Sequence, residues 1–431
     1  MLIRNLLFNV LLISGLSLVA QAQAPLTLRQ ALQQVRTNSP ALRIERLNIN
    51  AAQADEVTAN LRSNPTVNNQ TLFQLNQGQP AVPGVDLPGM LSRQRRQFWL
   101  QATKEFDIYH KRDYRTRFAQ ASTKLAQQNV AETERTVLLD AANRFLDAWY
   151  ARIQLVLLER ARANTDTLVQ LNRVRLKNLA ISSTDLTRTR LLLDQYELQT
   201  RTAQQDLRNR LNELRLVLGT TDSVNVAMND SIVNPAVPNP LVLHPVPLAP
   251  ADSLLQLAAT SRTDVGVAAA IIEEAQRNLA LQRVLAKPRN EAGLIWNPQN
   301  SVPYAGIFLT LELPFYNRNQ GEIQKAQIVQ DQASQAATFV QARIRTEVST
   351  AYESFISSRR NVERYTGIRR DADQVLASVR YAYLRGATTL IDLFEAQRSW
   401  FETQTAYYEA VYTYRQNYIR LLYSTGQINT Y

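Results

Sequence analysis

Asp392 and Glu395 are the two side chains in this chain best spaced for chemistry. They lie three residues apart at the start of a helical pattern, so their carboxylates share one face. Such a pair raises the question of a catalytic acid and base. A plainer role competes: Thr389-x-x-Asp392 has the spacing of a capping box, and acids in a first turn are favoured by the helix dipole. Ser182-x-x-Asp185 repeats the device, and Asp392 follows Asp185 by 207 positions (185 to 392). Tyr383 and Arg385 stand just before the second copy, where Gly386 ends the preceding helix.

Little other reactive material is present. The chain has no Cys and only two His, His110 and His244, far apart in sequence. Disulfides and thiolate nucleophiles are excluded, and a His-based triad or metal site lacks its components; no cofactor or metal is expected. A catalytic carboxylate pair needs a shaped pocket, which a tip between two helices does not offer, so no enzymatic activity is expected. The net charge of +11 is spread over helices among Asp, Glu and Gln. That is the texture of solvated faces rather than of a nucleic-acid surface.

The elements that position these residues read in order. Residues 1–22 have one early Arg, an apolar run and Ala-x-Ala sites, the pattern of a secretory signal peptide with cleavage after Ala22 or Ala24. No later segment is long and apolar enough for a transmembrane helix, so a membrane role has to come from β-strands. An amphipathic helix opens at Leu26, with a break near Pro40, and ends before Pro65. Alternation then predicts strands near 66–75 and 97–106, separated by a Pro/Gly loop at 76–92. A helix free of Pro and Gly runs from Lys111 to Leu179, roughly 100 Å at ~1.5 Å per residue. Its partner runs from Thr184 to Leu218, with Leu186, Leu193, Thr200, Leu207 and Leu214 at heptad spacing.

After a Pro-rich linker at 220–250 the pattern restarts. A helix is expected over Asp252–Ala286, then strands near 291–297 and 307–313. A second long helix runs from Gly321 to Arg385, and a final one carries Leu393, Trp400, Tyr407, Tyr414 and Leu421 at sevens. Pro288 lies 223 positions after Pro65 (65 to 288), while Glu312 and Gly426 lie 207 after Glu105 and Gly219. Residues 25–219 and 251–431 are therefore two copies of one unit. The fold class is mainly α with a small β part. Four strands cannot close a membrane barrel alone, whereas three copies of the chain would supply twelve.

Three stretches carry a resemblance over essentially all of the mature chain. They are Leu26–Leu32 with Asn38-Ser39-Pro40, Leu313–Ile323, and Gly386–Gln397. The chain resembles the TolC-like outer-membrane efflux (outer-membrane factor) family. Asn317–Gly321 and Glu105 with Lys111-Arg112 are most similar to its heavy-metal CzcC/CusC-like branch. The resemblance implies a homotrimer in the Gram-negative outer membrane, in contact with its lipid. A twelve-stranded β-barrel would be joined to an α-helical barrel reaching into the periplasm. Such trimers are exit ducts of tripartite pumps, with a periplasmic adaptor and an inner-membrane transporter, here of the RND type. The resemblance also places Asp392 and Glu395 at the periplasmic constriction and Tyr383 and Asp185 in contacts between coils at the tip, with Arg385 the candidate to replace a missing Arg contact there. Thr388 stands where the family has an entrance Arg. Two other readings remain beside it: a duct for exported proteins, and a periplasmic coiled-coil scaffold without a pore.

Overall fold

The computed structural model describes residues 25–73, 96–228, 250–299 and 302–430. The expected signal peptide, the 76–92 loop and most of the Pro-rich linker lie outside the described residues. Eight α-helices and four strands occur among the described residues. They are α1 (Leu28–Asn38), α2 (Pro40–Asn60), β1 (Thr66–Phe73), β2 (Arg96–Glu105), α3 (Lys111–Lys177), α4 (Ser183–Leu218), α5 (Ala251–Ser261), α6 (Thr263–Leu285), β3 (Arg289–Gln299), β4 (Val302–Glu312), α7 (Gln320–Leu384) and α8 (Leu390–Ser424). A short 3₁₀ turn at Gln427–Thr430 follows.

The duplication is visible in the element bounds. β2 and β4 end at Glu105 and Glu312, and α3 and α7 end at Lys177 and Leu384. Between these points the copies differ. Phe106–His110 leads into α3, of 67 residues, whereas the longer Leu313–Asn319 leads into α7, of 65. Two residues added to the connection are taken from the helix, so the register at the tips is kept. The residue before each helix, His110 or Asn319, is left-handed, with φ near 57° and 59°. One expectation needs adjustment. The helix expected over Asp252–Ala286 is broken at Arg262, which lies where Ser39 breaks the first copy.

The chain divides into two compact units. The first comprises Met1–Pro40, Thr136–Leu254 and Val348–Tyr431. Its core is helical and holds Phe145, Trp149, Leu214, Leu218 and Val411. Aromatic rings of α8 pack across it: Tyr412 stacks on Tyr150 at 4.8 Å and Tyr414 on Phe355 at 5.2 Å. The seam residues Leu393, Trp400, Tyr407, Tyr414 and Leu421 are all buried. Gly219 caps α4 in the left-handed conformation (φ +65°), and a Cβ there would fall 2.4 Å from the Asn38 carbonyl oxygen. Only Gly fits that turn.

The second unit comprises Ala41–Arg135 and Leu255–Glu347. Its four strands form one antiparallel sheet in the order β1-β2-β3-β4. Register places Val67 beside Ala102, Ala102 beside Leu294, and Leu294 beside Ile307. This row belongs to an apolar face with Leu100, Trp296, Leu309 and Leu311. It is open to solvent in the single chain, with Ile307 84% and Leu294 66% exposed. Phe98 packs edge-on to Trp296 at 5.7 Å. The opposite face carries Gln101, Thr103, Glu105, Glu291, Thr310 and Glu312. On that face a Cβ at Gly293 would fall within 2.8 Å of the ring of its cross-strand partner Phe308 and 2.2 Å from the Ala102 carbonyl oxygen, so a side chain is excluded.

Three helices of this unit meet at a buried ion network. Arg262 donates to both oxygens of Asp264, at 3.0 and 2.6 Å, and to Glu347 at 2.7 Å. Arg343 reaches Asp264 at 3.0 Å, and Arg135 pairs with Glu132 through two hydrogen bonds while lying 3.6 Å from Asp264. Burial alone would raise the Asp264 pKa, but the hydrogen bonds and charges of these arginines hold it below the ordinary carboxylate value.

Candidate functional site: the two helix tips

Each tip is built from the backbone upward. In the first, Ala180 N–H donates to the Arg175 carbonyl at 2.8 Å and Leu179 N–H to Leu176 at 3.0 Å. In the second, Ala387 donates to Ala382 at 2.9 Å and Gly386 to Tyr383 at 3.0 Å. Both are the paired bonds that close a helix around a left-handed residue. That residue is Gly386 (φ 75°) in the second tip and Leu179 (φ 57°) in the first. The Leu179 side chain is 90% exposed.

The next helices start with reciprocal capping boxes, as the spacing predicted. Ser182 Oγ accepts from Asp185 N–H at 3.1 Å, and the Asp185 carboxylate accepts from Ser182 N–H at 3.2 Å. Thr389 and Asp392 repeat this at 3.2 and 2.9 Å. The Asp392 carboxylate also accepts from the hydroxyls of Thr388 (2.6 Å) and Thr389 (2.7 Å). The hydrogen bond from Thr388, then those from Thr389, lower its pKa to about 2. Glu395 is solvent-exposed and one turn further along α8.

Between the tips lies a buried polar chain. The Tyr383 hydroxyl donates to Asn172 Oδ1 at 2.9 Å, and Asn172 Nδ2 donates to Thr189 Oγ1 at 3.0 Å. Thr189 Oγ1 donates to the Asp185 carbonyl at 2.8 Å. Asn172 and Thr189 are fully buried and Tyr383 nearly so. One side-chain run therefore links α7, α3 and the first turn of α4. Arg175 adds a second link from α3. Its guanidinium lies 4.7 Å from the Tyr383 ring centroid and donates to the carbonyls of Tyr383 and Leu384, both at 3.0 Å. Those carbonyls lie at the C-terminal end of α7, where the helix dipole favours a cation. Leu168, Leu390 and Leu393 pack against Tyr383, and a cavity of about 80 Å³ opens beside them, lined in part by Thr165, Gln397 and Trp400.

The structure brings Tyr383 and Asp185 into one network, Asp185 through its backbone. It does not bring Arg385 to the other coil: Arg385 stacks over Tyr381 of its own helix, 4.3 Å from the ring centroid. The cross-coil cation is Arg175, which sequence reading did not single out. Its position in the last turn of α3 was the available signal. Asn172 and Thr189 carried none, because polar residues in a heptad pattern read as surface.

Comparisons with known proteins agree with this architecture. Residues 254–427 match the family model described as outer membrane efflux protein. No curated protein sequence matches the chain. Among solved structures, CusC is 17% identical with a TM-score of 0.74, over 93% of this chain and 92% of that one. The Campylobacter jejuni CmeC outer membrane channel is 14% identical with a TM-score of 0.71, over 93% and 85%. The open state of the Neisseria gonorrhoeae MtrE outer membrane channel is 15% identical with a TM-score of 0.70, over 93% and 88%. Residues 254–427, most of the second repeat, match the outer membrane efflux protein family, and the fold shared with these outer-membrane channels extends over nearly the whole chain.

Proposed function

We propose that this protein is the outer-membrane exit duct of a tripartite efflux pump. Three copies join edge to edge, β4 of one beside β1 of the next, into a twelve-stranded barrel in the outer membrane of a Gram-negative cell. The long helices form a barrel in the periplasm, and the two tips of each copy form its mouth. Asp392 and Glu395 sit at the constriction, and the Tyr383–Asn172–Thr189 run with Arg175 holds the coils closed. A periplasmic adaptor engages the mouth, and an inner-membrane transporter of the RND type supplies small solutes or metal cations. Residues 1–22 direct export and are removed.

The observation that carries this reading is the sheet. In the single chain β1 and β4 are edge strands without a partner among the described residues, and one face exposes Leu100, Leu294, Trp296, Ile307, Leu309 and Leu311; neither feature suits water. Closure in a bilayer satisfies both. Separation of cell envelopes on a sucrose gradient, with chemical cross-linking, tests it. Recovery with outer membranes as a cross-linked trimer is expected. Recovery as a soluble periplasmic monomer would exclude the duct.

A further inference from the structure

At the foot of the sheet, where strands give way to helices, a concavity of about 80 Å³ would be unremarkable, but the one there measures about 930 Å³. Its composition is uneven. Arg62, Lys104, Arg115 and Lys287 line it, are exposed, and make no ion pair among the described residues. The acids beside them are mostly engaged. Glu105 holds Ser63 at 2.9 Å and Arg289 at 3.5 Å, and Asp107 accepts from the N–H groups of Lys111 and Arg112 at 2.6 and 2.7 Å. Asp113 pairs with Arg112 at 3.7 Å. Glu312 is the remaining lining acid. Four cations without an ion pair among the described residues thus face Glu312, whose charge already acts on Lys111.

The apolar surroundings are equally specific. Lys104 continues the apolar row Leu100–Ala102 on β2, at the last turn of the strand before Phe106. Phe106 and Phe315, both lining the concavity, are 51% and 69% exposed, and the neighbouring Tyr316 is 96% exposed. Aromatic rings and long cations at the end of an apolar sheet face are what the boundary between hydrocarbon and headgroups selects. We propose that this concavity is a binding site for an anionic phospholipid of the periplasmic leaflet. Arg62, Lys104 and Lys287 hold the headgroup phosphate, and Phe106 and Phe315 lie along the upper acyl chains. A zwitterionic headgroup gains less there, because its own ammonium meets the same cations.

The proposal rests on the membrane-barrel reading, and the experiment separates the two. The purified full chain is offered vesicles of phosphatidylethanolamine, with or without phosphatidylglycerol. Insertion is read by flotation and retained lipid by native mass spectrometry. Flotation with both, and preferential retention of phosphatidylglycerol, is expected. The combined variant Arg62→Gln, Lys104→Gln, Lys287→Gln is expected to insert and to lose at least about tenfold of that preference, given the attraction of each surface cation to anionic lipid. Equal retention of the two lipids, or an unchanged preference in the variant, overturns the lipid site and leaves the barrel standing. Failure to float with either lipid overturns both. Loss of the preference on adding inorganic phosphate alone would assign the site to free phosphate instead, and so overturn the lipid.

Discussion

The Tyr383 hydroxyl meets Asn172 Oδ1 at 2.9 Å across 211 positions of sequence. Two coils written as separate repeats are thereby joined at their ends by a buried bond. Tyr383→Phe keeps the ring and leaves Asn172 Oδ1 short of its donor. An unsatisfied buried acceptor costs about 1–3 kcal/mol, so the variant should unfold at lower urea concentration. Circular dichroism of the purified protein checks this, and unchanged stability would show that solvent already reaches the site.

Leu179 and Gly386 occupy the same turn in the two tips, both left-handed. A side chain in that conformation costs about 1–2 kcal/mol and Gly avoids the cost. Leu179→Gly should therefore hold or raise thermal stability, since the exposed Leu side chain loses little packing. Gly386→Leu should lower it. Paired melting curves of the two variants make each the control for the other.

The Asp264 network predicts a larger effect. Asp264→Ala leaves Arg262 and Arg135 buried without their shared anion, which costs about 3–5 kcal/mol. The pH dependence follows from the sign of the shift. A carboxyl whose pKa is lowered in the fold stabilises above the ordinary carboxylate range, and loses that contribution as pH falls through its lowered value. Acid unfolding of the parent protein should therefore begin below about pH 4, and the Asp264→Ala variant should lack that step. Equilibrium unfolding across pH 2–7 reads both.

Asp392 behaves differently because it is exposed and held by short local bonds. With its pKa at about 2, its capping contribution is complete above the ordinary Asp range and is lost only near pH 2. Thr389→Ala removes one hydroxyl donor, and the pKa should move up towards the ordinary value. Carboxyl carbon shifts of selectively labelled Asp, followed through a pH titration, report this directly.

Much of the architecture was legible because repetition left marks at both ends of each unit. The Ser182/Asp185 and Thr389/Asp392 boxes, the apolar alternation of Ile307–Leu313 and the heptads of α8 each reappear as expected. What stayed hidden was polar and assembled from separated segments. Arg135, Arg262, Arg343, Glu132, Asp264 and Glu347 come from three separated segments, and each alone reads as a solvated helical charge. The break at Arg262 lacks the Pro that marks the first copy's break at Ser39-Pro40, and its N-cap residue makes no side-chain cap, so the segment reads as continuous helix. Arg175 carries no mark in the sequence beyond its place in a last turn, whereas Arg385, expected to stand in for an entrance Arg, stacks on Tyr381 within the single chain. The guanidinium that reaches across comes from a helix whose end lies beside α7 only in the fold.

Single-channel conductance in planar bilayers tests the central claim most directly. The parent protein should insert as discrete conducting steps. The double variant Asp392→Ala, Glu395→Ala should conduct more and prefer cations less. Conductance steps of unchanged size and selectivity in the variant, or no steps from the parent at all, would contradict a duct whose mouth is formed by these tips.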